Sequence, residues 1–466
     1  MPIVLPSPED AATLPPPDHA DLSGATLRLP RAQPSRWPMR RAWIARQVPI
    51  VLVMMLASYL ITLNVGTPWQ SIHEDNGTLN ESIALNHLRF GLGVTKGQDL
   101  LDLEAKQSFG PPGVSEAQHF AYFLSGPTHP QVYGDHPPLL GLTIAGSFLL
   151  FGPHFWSERL VVIIYALGGL LLFYLLVARV FDRGVAVCAA LLYAVCPMFA
   201  YFGRNVSHEA PTLFWALLLL WGYVCWREHN RWRWGMLMAV ATTIGGGYGW
   251  PLFYFAVILW ALDGVWARRP NWRLAATTVL PAIVTFIAVM GQIAWALNGD
   301  LSHLATMFLY RTGGAGDAPA SAMTAISWLN QVTIWNAEGF GAWSQVAILL
   351  ACGFVAMRHA AEGWSPRLRM VVLLGVWGIS HVLIFRNGAY IHAYWQFYLI
   401  PFYALTLGWA AVSLARHTLT ARRSRWLLLA GSGFVVLCLN FAPIVALYST
   451  GYHHLLPVTP LFDLWH

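Results

Sequence analysis

The stretch QVPIVLVMMLASYLITLN (residues 47–64) and the acidic cluster His73-Glu74-Asp75-Asn76-Gly77 that follows it decide the fold of this chain. The apolar run is long enough to cross a bilayer, which takes roughly 17–25 residues. A second polar motif, Tyr133-Gly134-Asp135-His136-Pro137-Pro138-Leu139, closes the same long loop before the next apolar runs. Acid and base groups at both ends of a loop beside a membrane indicate chemistry on a lipid-borne substrate.

The composition is that of a multi-pass membrane protein. Of the 466 residues, 56% are apolar and 11% are charged, whereas soluble domains carry about 25% charged residues. The mean hydropathy is +0.50. The sequence pI of about 9.1 comes from arginines in short loops beside apolar runs, a pattern that topology explains better than a nucleic-acid partner. We therefore expect the lipid bilayer, and no nucleic acid, as a partner.

Hydropathy predicts an all-α polytopic membrane protein of about eleven transmembrane helices. A shorter apolar segment, 137–152, is near the lower limit for a span, and we interpret it as a helix lying on the outer surface. The eleven predicted spans are 47–64, 157–178, 184–202, 210–226, 235–249, 250–267, 273–296, 342–357, 370–386, 396–415 and 425–447.

The positive-inside rule fixes the orientation. With segment 137–152 on the surface, 21 of the 28 basic residues lie on one side, which is then cytoplasmic. The N-terminus is therefore predicted inside and the C-terminus outside. The predicted regions are a disordered cytoplasmic tail (1–45), a catalytic membrane domain (46–450) with outer loops at 65–156 and 297–341, and an outer C-terminal tail (451–466).

Seven basic residues remain on the outer side, together with 14 of the 22 acids. Basic side chains kept on the disfavoured side need a reason, and binding a phosphate group is a good one. The seven are Arg89, Lys96, Lys106, Arg159, Arg204, Arg311 and Arg386.

Four separate stretches carry polar groups to this edge, and together they could build a pocket. Two lie in the first outer loop, around Asp75 with Asn76 and around Asp135 with His136. The third follows the third predicted span and contains Arg204, His208 and Glu209. The fourth lies between the ninth and tenth predicted spans, and it contains Arg386, His392, Tyr394 and Trp395.

Each motif also has a simpler structural interpretation. Glu209 could be a helix-start acid favoured by the helix dipole, and Tyr394 and Trp395 could belong to an interfacial aromatic belt. A divalent metal held by His73, Asp75, His136, His208 or Glu209 is an alternative, but no pair has the spacing that places two ligands on one helical face. We expect no cofactor and no metal.

Taken together, these motifs resemble the bacterial branch of glycosyltransferase family 39, in the GT-C superfamily of protein O-mannosyltransferases and the lipid A aminoarabinose transferase. The resemblance covers roughly residues 47–415. It rests on Asp75-Asn76-Gly77, on Asp135-His136-Pro137-Pro138-Leu139-Leu140, on the stretch from Pro197 to Glu209, and on the stretch from His392 to Pro401.

The resemblance implies a multi-span helical domain whose first outer loop folds into surface helices. It also implies transfer of a sugar from a polyprenyl phosphate to a hydroxyl acceptor, with Asp75 as the general base. Glu209 matches the family's second acid, and Glu74 remains a rival base. His136 matches, in part, a basic residue that helps to hold the lipid phosphate.

From these observations the sequence predicts an inverting glycosyltransferase, transferring a hexosyl or pentosyl group, in a bacterial inner membrane with its active site facing the periplasm. The expected partners are the lipid-linked donor and a hydroxyl acceptor on protein, lipid or glycan. A polysaccharide polymerase or a lipid-linked-sugar transporter is the alternative. The assigned side chains are Asp75, Glu209 and Glu74 for catalysis; His136, Arg204, Arg386 and Lys96 for the donor phosphate; and His208, His392, Tyr394, Trp395, Asn76 and Asp135 for substrate binding.

Overall fold

Helices dominate the computed structural model, which describes residues 36–69, 74–101, 115–125, 130–315, 324–419 and 421–450. The predicted tails lie largely outside this part, since residues 1–35 and 451–466 are not described. Residues Met1–Val48 and Pro49–His466 form separate units by their internal contacts. The described part of the first unit is the start of one helix.

The elements, numbered in chain order, alternate long helices with short ones. A single two-stranded antiparallel sheet pairs Leu100 with Val132. The elements are α1 (Arg36–Thr62), α2 (Asp75–Thr95), β1 (Leu100–Leu101), α3 (Glu116–Ser125), β2 (Gln131–Val132), α4 (Leu139–Phe151), α5 (Phe155–Val180), α6 (Arg183–Ala194), α7 (Pro197–Phe202), α8 (Glu209–His229), α9 (Trp232–Tyr248), α10 (Pro251–Ala267), α11 (Trp272–Thr277), α12 (Val279–Ala296), α13 (Ser302–Thr312), α14 (Ala325–Phe340), α15 (Ala342–Glu362), α16 (Pro366–Ile384), α17 (Arg386–Ile391), a 3₁₀ helix (Ala393–Leu399), α18 (Ile400–Thr418) and α19 (Arg422–Thr450).

The all-α, multi-pass prediction is confirmed. In the described residues six helices are long and apolar enough to cross a membrane: Phe155–Val180, Glu209–His229, Trp272–Ala296, Ala342–Glu362, Pro366–Ile384 and Ala393–Thr418. Each coincides with a predicted span. Shorter apolar helices cover most of the remaining predicted spans, so a total of eleven stays a prediction.

The predicted span at 184–202 is divided into two helices. Helix α6 ends at Ala194, and Pro197 then begins the short helix α7. Proline has no N–H to continue a helix and disfavours the helical conformation in the residue before it. This break carries the chain into the turn that contains Arg204 and His208.

The described residues of the first long loop include helices α2, α3 and α4. Buried polar contacts hold them together, because Glu81 on α2 accepts hydrogen bonds from Trp69 Nε1 (3.0 Å) and pairs with His119 Nε2 on α3 (2.5 Å). Helix α4 buries Leu140 and Ile144. Leu149 and Leu150 near its end are exposed, as suits a helix at a lipid interface.

The described residues of both long loops lie at the same end of the helices. We call the surface formed by the described residues of segments 65–156 and 297–341 the loop face. Asp135 from the first loop contacts His303 and Arg311 from the second. Gln292, near the end of α12, also donates to the carbonyl of Gly97 (2.8 Å). These contacts bring the predicted site motifs to one surface.

Close packing of α6 against α18 gives the first testable prediction. A Cβ atom at Gly408 would lie 2.9 Å from the backbone of Ala189, whereas at Gly353 it would meet nothing within 4 Å. We expect Gly408→Ala to lower the thermal unfolding midpoint, because forced overpacking costs about 1–3 kcal/mol. Gly353→Ala should leave it unchanged or raised, since alanine is the better helix former. Tryptophan fluorescence of the detergent-solubilised variants measures both; equal midpoints would contradict the packing.

Candidate active site at the loop face

A buried ion cluster joins the end of α1 to the start of α2. Glu74, in the N-cap position of α2, is buried, and its Oε1 lies 3.2 Å from Arg204 Nη2 and 3.9 Å from Arg159 Nη2. The two arginines also donate to backbone carbonyls just after α1, Arg204 to Leu63 and Arg159 to Val65. Charged groups in a low-dielectric interior are stable only when paired. The cluster therefore holds the chain segment that leads into Asp75.

The start of α2 lies beside the turn between α7 and α8. Asn80 Nδ2 donates to the carbonyl of Asn76 (2.8 Å) and to that of Val206 (2.9 Å). Asn76 is half-buried. The structure describes the backbone of Asp75 and not its side chain. The backbone of Asp75 thus begins a helix that is tied to the turn preceding His208 and Glu209.

Two histidines from distant parts of the chain stack on each other. The rings of His136 and His208 are 4.2 Å apart between centroids and 15° from parallel. His208 Nδ1 lies 2.6 Å from the carbonyl oxygen of Tyr248. A carbonyl only accepts hydrogen bonds, so Nδ1 carries the proton and Nε2 keeps its lone pair.

Both histidines are neutral at neutral pH. Burial is the main cause that lowers the pKa of His208 to about 4; the positive charge of Arg311 acts in the same direction, and the hydrogen bond to the Tyr248 carbonyl acts against it. Burial also holds the pKa of His136 well below its usual range, with smaller effects of the same sign from His208, Arg311 and His392. A neutral imidazole would contribute hydrogen bonds to a phosphate and no full charge. The structure brings His136 and His208 together, as the sequence suggested.

Arg311, on α13 in the second long loop, lies among the candidate site residues, although the sequence analysis did not assign it to the site. Its Nη2 lies 3.7 Å from Asp135 Oδ2, and its guanidinium sits 5.4 Å from the Trp395 ring centroid. It is also within electrostatic range of His208 and Glu209. The signal in the sequence was its place among the seven basic residues on the predicted outer side, in the predicted loop 297–341.

Glu209 presents a carboxylate that is only partly satisfied. It is the first residue of α8 and 9% exposed, and its Oε2 is buried with no hydrogen-bond partner among the described residues. Helix N-termini favour negative charge. A buried acceptor without a donor normally costs free energy, so it is a position where a ligand hydroxyl would be stabilised.

An aromatic wall borders these groups. Tyr394 and Trp395 are both buried, at 6% and 7% exposure, so they face protein and do not form a lipid-facing belt. The rings of His392 and Tyr394 stack at 4.9 Å, and Tyr394 contacts Phe202 at 5.9 Å. The wall therefore connects the stretch from His392 to Trp395 with α7, the helix that precedes Arg204.

Lys96 and Arg386, both predicted to bind the donor phosphate, make other contacts in the structure. The Nζ of Lys96 donates to the carbonyl of Trp295 (3.0 Å) and lies 5.1 Å from its ring, contacts that lead to the end of α12. Arg386 begins α17 with a half-buried side chain, and its carbonyl accepts from Trp328 Nε1 (2.8 Å). Asp135, assigned to substrate binding, is engaged by Arg311 and by His303 Nε2 at 3.0 Å.

Metal binding has no geometric support in the described part of the chain. No group of three His, Cys, Asp or Glu side chains there is arranged to hold a metal ion. His73, one of the alternative ligands, lies outside the described residues.

The low pKa of His208 predicts how the stability of the folded protein depends on pH. In the unfolded chain a histidine takes up a proton near pH 6.5, whereas folded His208 does so only at about 4. The unfolded state therefore binds protons first, and stability present above about pH 6.5 is lost as the pH falls toward 4.

We expect His208→Asn, which can still donate to the Tyr248 carbonyl, to reduce the loss of unfolding midpoint between about pH 7 and about pH 4. The control is His417→Asn, at an exposed histidine near the end of α18, which should keep the native profile. An unchanged profile in the His208 variant would contradict the buried neutral histidine.

Parts of the chain match known sequences. Residues 135–295 match the family model described as dolichyl-phosphate-mannose-protein mannosyltransferase. YkcB of Bacillus subtilis strain 168, a suspected mannosyltransferase, is 27% identical over 168 residues, which are 36% of this chain and 23% of YkcB. The match thus spans less than a quarter of that relative.

The fold is shared more widely than the sequence. ArnT from Cupriavidus metallidurans, solved bound to undecaprenyl phosphate, aligns with a TM-score of 0.57 at 13% identity, over 87% of this chain and 75% of ArnT. The oligosaccharyltransferase AglB from Archaeoglobus fulgidus, solved with an inhibitory peptide and a dolichol-phosphate, aligns with a TM-score of 0.51 at 15% identity, over 88% of this chain and 56% of AglB. The chain therefore shares the fold of these two proteins, and its residues 135–295 are similar to the mannosyltransferase family model.

Proposed function

We propose that this protein is an inverting glycosyltransferase that moves a sugar from a polyprenyl phosphate to a hydroxyl acceptor. We place the reaction on the periplasmic side of a bacterial inner membrane. The observation that carries the proposal is the convergence at the loop face of Glu209, Arg311, the His136–His208 pair and the start of α2. Because ArnT and AglB were solved with polyprenyl phosphates, a donor of the same class is the natural candidate for this fold.

The reaction makes few chemical demands, and the site has groups for each. The leaving lipid phosphate needs no proton at neutral pH, so the enzyme must supply a base for the acceptor hydroxyl and positive charge for the phosphate. A positioned base contributes about 10²–10⁴-fold. Fixed cations stabilise charge that develops on the leaving oxygen.

Asp75 is our candidate for the base. Its rival Glu74 is buried and paired with Arg204 and Arg159, so its carboxylate is already engaged inside the protein. Asp75 would take the proton of the acceptor hydroxyl, whose oxygen attacks the anomeric carbon from the face opposite the phosphate. This displacement inverts the anomeric carbon.

Arg311 is our principal candidate for the donor phosphate, with His136, Arg204 and Arg386 as further contributors. Arg204 is engaged by Glu74, whereas Arg311 approaches Asp135 only at 3.7 Å and remains partly exposed. A phosphate could replace that carboxylate, because guanidinium groups bind both in the same forked geometry. His136, neutral, would donate a hydrogen bond.

Glu209 and the aromatic wall are assigned to the sugar and the acceptor. The unpaired Oε2 of Glu209 would accept a hydroxyl hydrogen bond. His208, His392, Tyr394 and Trp395 would border the sugar, and Asn76 and Asp135 would contact it from the first outer loop.

The proposal predicts that Asp75→Asn abolishes transfer and leaves donor binding nearly intact, since the amide cannot accept the proton. The measurement is transfer from labelled polyprenyl-phosphate sugar by purified protein, with donor binding measured separately. Asp300→Asn changes a loop-face acid that lies outside the site, and should retain activity. Full turnover in the Asp75 variant removes that residue from the mechanism, and movement of lipid across a bilayer without chemistry identifies a transporter.

A second prediction separates Arg311 from Lys96. Arg311→Gln should raise the KM for the donor by roughly 10-fold or more, because a charge-assisted hydrogen bond contributes about 1.5–3 kcal/mol. Arg311→Lys should recover part of this loss. Lys96→Gln should have little effect, since Lys96 contacts the end of α12; an equal loss in both glutamine variants would overturn the assignment.

A further inference from the structure

A buried histidine in the last turn of helix α16 is not among the residues assigned to the reaction. His381 is 4% exposed and lies within a helix that is long and apolar enough to cross a membrane. An ionisable side chain in such a helix is costly to bury, and it usually serves a function. The neighbours of His381 therefore indicate what this residue does.

Three aromatic side chains fix the imidazole of His381. Its Nδ1 is hydrogen-bonded to the hydroxyl of Tyr254 on α10. Its ring stacks on that of Trp395, with the centroids 5.0 Å apart and the planes 27° from parallel. The ring of Tyr398 meets the imidazole edge-on, at 4.8 Å and 82°. Stacked and edge-to-face contacts are favourable geometries for such rings, so the three contacts together hold the imidazole in one orientation.

The indole of Trp395 is closely surrounded by protein. It is 7% exposed and contacts the ring of Phe385 at 5.6 Å, with the two planes 73° apart. A Cβ atom at Gly388 on α17 would overlap the indole, so the backbone of that helix lies directly against the ring. A shift of the imidazole of His381 would therefore open space into which the indole can move.

Trp395 in turn contacts Arg311, the principal candidate for binding the donor phosphate. The guanidinium lies 5.4 Å from the centroid of the indole, within the range of a cation–π interaction. Its contact with Asp135, at 3.7 Å, would be lost if a phosphate replaced that carboxylate. None of the residues that the structure describes on helix α13 is buried, so this helix gives Arg311 little support. The indole is then the contact that keeps the guanidinium in place.

We propose that His381 and Tyr254 are positioning residues for Arg311. Tyr254 orients the imidazole, the imidazole supports the indole of Trp395, and the indole holds the guanidinium ready for a phosphate. A guanidinium that is held in advance loses less conformational freedom on binding, which strengthens binding. The inference deepens the proposed function and rests on its assignment of Arg311 to the donor phosphate.

Binding of a polyprenyl phosphate without a sugar tests this series of contacts. The probe is labelled undecaprenyl phosphate, the lipid bound in the ArnT structure, titrated into the full-length protein in detergent. Tyr254→Phe keeps the ring and removes the hydroxyl that orients His381. We expect it to weaken binding by roughly 2- to 10-fold, the effect of one hydrogen bond. His381→Leu also removes the stacking ring, so it should weaken binding more.

The matched control is Tyr223→Phe. Tyr223 is another buried tyrosine whose hydroxyl bonds to a side chain, since it donates to Asp263 Oδ1 at 2.6 Å. It lies about 21 Å along α8 from Glu209, at 1.5 Å per residue, and Asp263 keeps Asn271 as a donor. Binding of undecaprenyl phosphate should stay at the native level in this variant. An equal loss in Tyr223→Phe and Tyr254→Phe overturns the inference.

The kinetics of sugar transfer distinguish positioning from a general loss of structure. A fraction of unfolded protein lowers the apparent kcat and leaves KM unchanged, because the molecules that remain folded bind the donor normally. Misplacement of Arg311 instead raises the KM for the donor and leaves the KM for the acceptor unchanged. We expect this second pattern for Tyr254→Phe. A lower kcat with the native donor KM overturns the inference.

A double-mutant cycle shows whether Tyr254 acts through Arg311. In the Arg311→Gln background the guanidinium is already absent, so Tyr254→Phe should cause no further loss of undecaprenyl phosphate binding. Additive losses from the two substitutions would mean that Tyr254 acts elsewhere, and would overturn the inference.

Failure of this inference and failure of the proposed function give different results. If the native protein binds undecaprenyl phosphate and the losses in the cycle are not additive, but no sugar is transferred, the positioning role stands and the proposed function fails. If the native protein transfers sugar and Tyr254→Phe binds the lipid as well as Tyr223→Phe does, the proposed function stands and the positioning role is overturned.

Discussion

The buried pairing of Glu74 with Arg204 and Arg159 is the interaction on which the site depends. Four segments meet there: the end of α1, the start of α2, the first turns of α5, and the turn between α7 and α8. Loss of one partner of a buried ion pair typically costs about 3–5 kcal/mol, because the remaining charge stays in a poorly solvating interior. The segments are therefore held in one arrangement, and the first turn of α2 is fixed beside the turn that leads to Glu209.

In this arrangement some charged side chains are paired inside the protein, and others remain available to a ligand. Arg204 and Glu74 neutralise each other inside the protein, whereas Arg311 approaches the site from a helix that has no buried residues. The stacked histidines are neutral, so they do not oppose the binding of a cation or an anion by long-range charge. Electrostatic recognition of a lipid phosphate would then rest chiefly on arginine, and recognition of hydroxyls on Glu209 and the neutral imidazoles.

Much of the membrane architecture could be predicted because hydrophobicity and length act locally. The helices Phe155–Val180 and Trp272–Ala296 are identified by apolar runs alone, since a span must bury its backbone polar groups through internal hydrogen bonds. The break before Pro197 was missed because hydropathy does not register the lost N–H. Lys96 was assigned to the donor phosphate from sequence and Arg311 was not, and it is the contacts of Lys96 with Trp295 that set it apart from the candidate site.

By itself, the sequence determined a multi-pass helical protein and the polar motifs of the candidate site, because these follow from the local pattern of apolar and charged residues. The tertiary structure alone decided which of those polar groups pair with each other. Glu74 became a buried partner of two arginines, Arg311 joined the site from the second loop, and His136 came to stack on His208. Such pairings depend on long-range packing of distant segments, and burial then sets the charge that each group carries.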